Sequence, residues 1–98
     1  MTDDAALDLI RQQLAKDRAR DPGTLYASEL YFLALIQERL GWLAGDIACD
    51  DKQFPSRSDY HAVLIGHAVR LGALIVVMIQ SETFTRERLL REEGKDKP

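Results

Sequence analysis

The sequence predicts an all-α protein with three main helices, and three observations support this. Apolar residues recur at three- and four-residue spacing along most of the chain, which is the period of a helix buried on one side. Turn-forming residues are few and grouped, at residues 21–23 and around Pro55, so they separate long elements. The β-branched run at residues 75–77 has no second strand-like segment to pair with, which favours a buried helix there.

The first helix is predicted over about residues 4–20. Asp3 and Asp4 place carboxylates at its start, where the helix dipole favours negative charge. One face carries the apolar residues Leu7, Ile10 and Leu14. The turn sequence DPG at residues 21–23 ends the helix.

The second helix is predicted over about residues 25–49, with Thr24 as its N-cap. Its apolar positions keep a helical period and are Leu30, Leu33, Ile36, Leu40, Leu43 and Ile47. Gly41 and Gly45 lie four residues apart inside it, and each costs about 1 kcal/mol relative to alanine in a helix interior. We therefore expect them to mark a close helix crossing.

The third helix is predicted over about residues 59–91, after a polar connection at residues 50–58 that contains Pro55. Ser56 or Ser58 is expected to cap it. Between residues 71 and 79 no face of this helix is polar. The charged tail at residues 92–98 is expected to fray.

A helix that is apolar all round must be covered all round, and two other helices of a 98-residue chain can hardly do this. We therefore expect a homodimer in which the long helices form a four-helix core. The alternative is a monomer in which the connection at residues 50–58 and the first helix cover the third helix as a lid.

Length and composition limit the possible classes of protein. Ninety-eight residues suffice for a single domain, residues 1–98, and the net charge of −3 argues against nucleic acid as a partner. A single cysteine and an acidic N-terminus point to a cytoplasmic protein without a secretory signal. The most apolar stretch, residues 71–81, is shorter than the roughly 20 residues of a membrane span, so no membrane partner is expected.

Common catalytic motifs are absent from the sequence: a phosphate-binding glycine loop, a serine nucleophile elbow and a zinc-binding His-Glu-x-x-His. His61 and His67 are six residues apart, about 240° around a helix, so they cannot chelate one metal together. Asp46 and Asp50 have the i, i+4 spacing of a shared cation site, although a solvated face is the more common explanation and the helix dipole disfavours acids at this end. Trp42 is mainly a packing residue by type, and it could also stack on a base or a partner surface.

Two segments resemble the MazG-like all-α nucleoside triphosphate pyrophosphohydrolases, including their small phage-borne versions. Residues 33–47, LALIQERLGWLAGDI, resemble the helix that carries Glu-Glu-x-Gly-Glu in that family. Residues 67–81, HAVRLGALIVVMIQS, resemble the helix that carries Glu-x-x-Asp, and residues 16–21 are weakly similar to the charged first helix. The resemblance implies a helical fold in which acidic side chains of two helices hold Mg²⁺ against a triphosphate.

The acidic residues of that family are largely replaced in this chain. Glu38 takes the first acidic position, whereas Arg39 and Trp42 stand in the places of the other two carboxylates. His67 and Arg70 stand where Glu-x-x-Asp belongs. Because Mg²⁺ prefers carboxylate oxygens, this replacement predicts that the metal-assisted chemistry of the family is lost.

Two functions follow from the residues as they stand. The first is a non-catalytic binding or regulatory protein, in which Glu38, Arg39, Trp42, His67 and Arg70 form a site for a nucleotide or phosphate without metal. A purely structural alternative has Arg39 paired with Glu38 and Arg70 directed to solvent. The second function is a dimeric helical adaptor or inhibitor of phage or mobile-element type that binds another protein.

Two further functions are weaker. An active pyrophosphohydrolase would need Mg²⁺ and rearranged acids, with Glu38, Asp46 and Asp50 as ligands. A DNA-binding helix-turn-helix would need a turn at Gly41 and Gly45, and the acidic balance and long uninterrupted helices argue against it.

Overall fold

The structure is a computed structural model that describes residues 1–20, 28–49 and 51–95. Within these ranges the regular elements are all helical, which confirms the predicted fold class. Helix α1 spans Asp3–Arg20, α2 spans Glu29–Cys49, and α3 spans Arg57–Lys95, with a short 3₁₀ helix at Asp51–Gln53 before α3.

Side-chain caps define the starts of the first and third helices. The Thr2 hydroxyl accepts a hydrogen bond from the backbone N–H of Ala5 at 3.2 Å. Ser56 accepts one from the backbone N–H of Asp59 at 3.0 Å and donates to the Asp59 carboxylate at 2.9 Å. Each cap satisfies one of the backbone donors that a helix start leaves free. Of the two serines considered from the sequence, Ser56 is thus the cap.

The described part of α2 begins with a cap at Ser28. Its hydroxyl accepts a hydrogen bond from the backbone N–H of Tyr31 at 3.3 Å. Thr24, the cap expected from the sequence, lies outside the described residues.

Helix α3 is longer at both ends than the sequence predicted. It begins at Arg57 and continues to Lys95, so residues 92–95 of the expected frayed tail are helical. Residues 86–93 are good helix formers, and an ion pair of 4.0 Å joins Arg88 to Glu92 at i, i+4. Helix α3 therefore continues beyond its last apolar repeat because the residues there have high helix propensity.

Helix α3 is the central element, and α1 and α2 each pack against it while their own backbones stay apart. Ile10 lies beside Gly72 and Arg18 donates to Gln80 at 2.7 Å, so α1 runs parallel to α3. Helix α2 is antiparallel to α3. Its start contributes Phe32 to the cluster around the second half of α3, and its end lies beside the first half.

The hydrophobic core is small and lies where α1 and α2 both meet α3. Its buried apolar residues are Leu14, Phe32, Ala73, Leu74 and Val77, with Ile10, Leu35, Ile36, Val76 and Met78 packed around them. On the opposite side of α3, Ile75 and Ile79 are exposed. The two neighbouring helices therefore cover most of the apolar segment and leave one side of it open.

The close helix crossing lies at a different glycine from the pair expected. A Cβ added at Gly72 would lie 2.9 Å from Cδ1 of Ile10, so the absence of a side chain there lets α1 approach α3. At Gly41 and Gly45 an added Cβ would meet nothing within 4 Å. Neither of these two glycines is therefore explained by packing among the described residues.

The α3 helix also has the length and apolar character of a membrane span. A window within residues 57–94 reaches a mean hydropathy of 2.2, and only 17% of that window is buried. The similarity of α3 to a membrane span rests on length and composition alone, and core helices of soluble proteins pass the same test.

Candidate functional site

The candidate site lies where the second half of α2 faces the first half of α3. Arg39, Trp42 and Asp46 follow one another at three- and four-residue spacing, so they share one side of α2. That side is turned toward His67 of α3. The antiparallel packing of α2 and α3 thus brings together residues that are more than 20 positions apart.

An Asp46–His67 pair joins the two helices. Nε2 of His67 lies 2.6 Å from Oδ2 of Asp46, and the histidine side chain is 13% exposed. An ionised carboxylate can only accept, so Nε2 carries the proton and donates. Nδ1 of His67 is buried with no hydrogen-bond partner among the described residues. In this arrangement Nε2 is engaged with Asp46, and Nδ1, which carries no proton in this tautomer, is shielded from solvent.

Arg39 makes two contacts on α2 itself. Its Nη1 donates to Oε1 of Glu38 at 3.1 Å, and its guanidinium carbon lies 4.5 Å from the centre of the Trp42 ring. Trp42 in turn approaches His67, with ring centroids 6.4 Å apart and planes inclined by 48°. A cation over an indole face is stabilised by the ring quadrupole. The contacts therefore form one chain from Glu38 to Asp46.

The structure brings four of the five predicted site residues into this chain: Glu38, Arg39, Trp42 and His67. Arg70 lies one turn beyond His67 on α3, is exposed, and has no hydrogen bond or ion pair with the described residues. Sequence reasoning assigned Asp46 only to a possible cation site. Its pairing with His67 has no signal in the local spacing, because the partners are 21 residues apart on different helices.

These residues do not fit a magnesium site. Both acids in the cluster are paired, Glu38 with Arg39 and Asp46 with His67, and Asp50 lies outside the described residues. In the part of the chain that the structure describes, no three His, Cys, Asp or Glu side chains are grouped as metal ligands. A guanidinium and an imidazole beside the carboxylates also oppose the positive charge of a hard cation.

The second histidine and the cysteine lie apart from this cluster. His61 stacks edge-on against Tyr60, with ring centroids 5.1 Å apart. Cys49 is a free, exposed thiol at the end of α2. Neither residue adds a ligand or a nucleophile to the Glu38–Asp46 chain of contacts.

Comparison with known proteins identified no relative of this chain. Neither a protein-family model nor a curated protein nor a solved structure matches the chain.

Proposed function

We propose that this chain is a non-catalytic, MazG-like binding protein that acts as a homodimer in the cytoplasm and takes a nucleotide or phosphate as its ligand. The observation that supports this is the pairing inside the cluster. Glu38, the one acid that matches the family's metal-binding motif, is paired with Arg39, and Asp46 is hydrogen-bonded to His67, so neither carboxylate is free to hold a metal. The resemblance to small phage-borne members of the family favours a phage or mobile-element protein.

The proposed ligand chemistry follows from the groups left accessible. Arg39 holds its guanidinium over Trp42 and keeps 27% of its side chain exposed, while Arg70 is exposed on the next helix. Arginine binds phosphate oxygens in a bidentate manner without metal. Trp42 is 44% exposed, and an exposed indole face can stack on a nucleobase.

Fluorescence titration tests the proposed site, because Trp42 is the sole tryptophan and reports directly on it. Inorganic phosphate, pyrophosphate and ATP are each added in the presence of a chelator. We expect a saturable change for wild type and at least about a tenfold weaker affinity for Arg39→Ala/Arg70→Ala, since charge-assisted hydrogen bonds are lost. The matched control, Arg20→Ala/Arg86→Ala, removes two exposed guanidinium groups elsewhere and should bind like wild type. No change for wild type, or equal affinities in both double variants, contradicts the proposal.

Catalysis is tested separately with Mg²⁺ or Mn²⁺ and a panel of nucleoside triphosphates. We expect no pyrophosphate release above the buffer rate. Turnover that disappears in Glu38→Gln would instead establish an active pyrophosphohydrolase with rearranged acids.

A second candidate function is a helical adaptor or inhibitor that binds another protein. The observation in its favour is the end of α3, which extends beyond the core and exposes Leu89 and Leu90. Co-purification from the native host would then yield one protein partner in a stoichiometric ratio. That partner should be lost from Leu89→Glu/Leu90→Glu and retained by Arg39→Ala/Arg70→Ala.

A further inference from the structure

The outer face of α2 carries an apolar seam that no described residue covers. Its six positions alternate in steps of three and four: Leu30, Leu33, Gln37, Leu40, Ala44 and Ile47. The four large aliphatic side chains are 77%, 49%, 50% and 54% exposed in chain order. Steps of three and four are the spacing of helices that pack along their length. We call these six positions the α2 outer seam.

The two unexplained glycines lie beside this seam. Gly41 and Gly45 are exposed and have no neighbouring atom within 4 Å of a built Cβ, so packing among the described residues gives them no role. Glycine is a poor helix former, and a helix keeps it where another backbone approaches closely. Ala44 and Ala48 extend the same small surface. Gly41 and Gly45 would therefore allow the backbone of another molecule to approach α2 closely.

The exposed area of the chain exceeds that of a typical folded monomer of its mass. The chain exposes 7317 Å², whereas a folded monomer of 11.1 kDa typically exposes about 5,700 Å². The excess of about 1,600 Å² is about twice the ~800 Å² that each partner buries in a standard interface. The chain therefore has enough surplus surface for a stable dimer contact on α2 and for a second exposed area at the end of α3.

The shape of the seam is complementary to itself when two copies run in opposite directions. The first half carries Leu30 and Leu33, and the second half is flanked by small residues such as Gly41 and Ala44. An antiparallel arrangement sets Leu33 of one copy against Ala44 of the other, and Leu30 then faces Ile47 at each end of the seam. A parallel arrangement would instead oppose large with large and small with small, which leaves gaps that proteins avoid.

The electrostatics of the seam also favour a second copy. None of its six positions is charged, so a two-fold axis brings no like charges together across it. Antiparallel helices oppose their dipoles favourably. The polar Gln37 lies at the middle of the seam, where a single polar residue fixes register in helix pairs.

We propose that the α2 outer seam binds the α2 outer seam of a second copy of this chain, antiparallel about a two-fold axis. Leu33 then faces Ala44 of the second copy, and Gln37 faces its Leu40. This assignment rests on the homodimer of the proposed function and adds the surface and the orientation that form it.

Sedimentation and light scattering at micromolar concentration test the surface. We expect wild type at twice 11.1 kDa, and a dissociation constant raised at least about 100-fold in Leu33→Glu, because a carboxylate would be buried unpaired. Leu89→Glu is the matched control, with the same substitution at a similarly exposed leucine on α3, and should remain dimeric. Circular dichroism confirms that both variants keep their helices.

Engineered disulfides in a Cys49→Ser background test the orientation. The pair Leu33→Cys/Ala44→Cys should cross-link two chains quantitatively under oxidation, whereas Leu33→Cys alone should not. Cross-linking by Leu33→Cys alone would establish parallel seams and overturn the orientation.

The outcomes separate this inference from the proposed function. A wild-type chain that is monomeric while folded overturns both the homodimer and the seam. A dimer that survives in Leu33→Glu keeps the homodimer and overturns only the seam as its interface. A wild-type chain that remains monomeric in buffer and associates with phospholipid vesicles would identify a lipid surface as the occupant instead.

Discussion

At the residue scale, the informative feature is the Asp46–His67 pair. It joins α2 to α3 at 2.6 Å, and the histidine is mostly buried while the carboxylate keeps a third of its surface exposed. A buried donor that loses its acceptor costs more free energy than the hydrogen bond gains. The pair therefore acts as a structural link across the interface between α2 and α3.

The first prediction concerns this link. We expect Asp46→Ala to lower the free energy of unfolding by about 1–3 kcal/mol, since Nε2 of His67 is left buried without an acceptor. Urea denaturation measures the change. The control, Asp8→Ala, removes an exposed carboxylate that pairs with Arg11 on the surface of α1, and should change stability by less than about 1 kcal/mol. Equal effects of the two substitutions would show that the cross-helix pair adds nothing.

A second prediction at this scale concerns Arg39 and the indole it covers. Arg39→Ala removes a cation 4.5 Å from the Trp42 centroid, so the emission of the only tryptophan should change in intensity or wavelength. Arg70→Ala, which has no described contact with the ring, should leave the spectrum unchanged. Identical spectra for wild type and Arg39→Ala would contradict the stacking.

At the element scale, two glycines of α3 differ in what lies next to them. Gly72 is required because Ile10 of α1 lies against its backbone. Gly66, six residues earlier, would meet nothing within 4 Å if it carried a Cβ. The sequence alone does not distinguish these two glycines, because the difference is that only Gly72 lies against α1.

The third prediction uses this contrast. Gly72→Leu should destabilise the protein by about 1–3 kcal/mol, because the larger side chain pushes α1 away from α3. Gly66→Leu, the same substitution in open space, should be neutral or stabilising by up to about 1 kcal/mol through its better helix propensity. Thermal unfolding of both variants measures the two changes in stability. A Gly72→Leu variant as stable as Gly66→Leu would show that α1 does not pack closely at this crossing.

At the scale of the whole molecule, the chain is elongated and its core is small. Its extents are 66 × 27 × 23 Å, and α3 alone spans about 58 Å. Five buried apolar side chains form the described core, which is little for a domain of 98 residues. Association between copies supplies burial that a small domain lacks on its own.

The fourth prediction concerns the dependence of folding on association between copies. If folding and association are linked, the Tm rises with protein concentration. Scanning calorimetry over a hundredfold range of concentration should show the rise for wild type. A Tm that is independent of concentration would mean that one chain is stable alone.

The fifth prediction concerns the membrane-like character of α3. His67 and Arg70 interrupt its apolar stretch, and a charged side chain at the centre of a bilayer costs about 2.5–3.5 kcal/mol on insertion scales. The Asp46–His67 pair also holds α3 against α2. We therefore expect the chain to remain in the supernatant after sedimentation with phospholipid vesicles. Co-sedimentation of most of the protein would contradict this.

The sequence by itself determined the helical class and most element starts, because these depend on local properties. The apolar period, cap residues such as Ser56 and the turn-forming sequence at residues 21–23 act within a few positions along the chain. The same local rules fell short at the end of α3, where charged residues with good helix propensity continue the helix without an apolar face. The five candidate site residues were instead assigned from the resemblance to the MazG-like family, and two of them, His67 and Arg70, lie on α3.

The tertiary structure decided what each helix face meets. It paired Asp46 with His67, placed Gly72 against Ile10, and left Gly41 outside the core. The physical reason is that periodicity specifies which residues share a face. The rotation and register between helices, which determine what that face contacts, arise only when side chains from distant segments pack together.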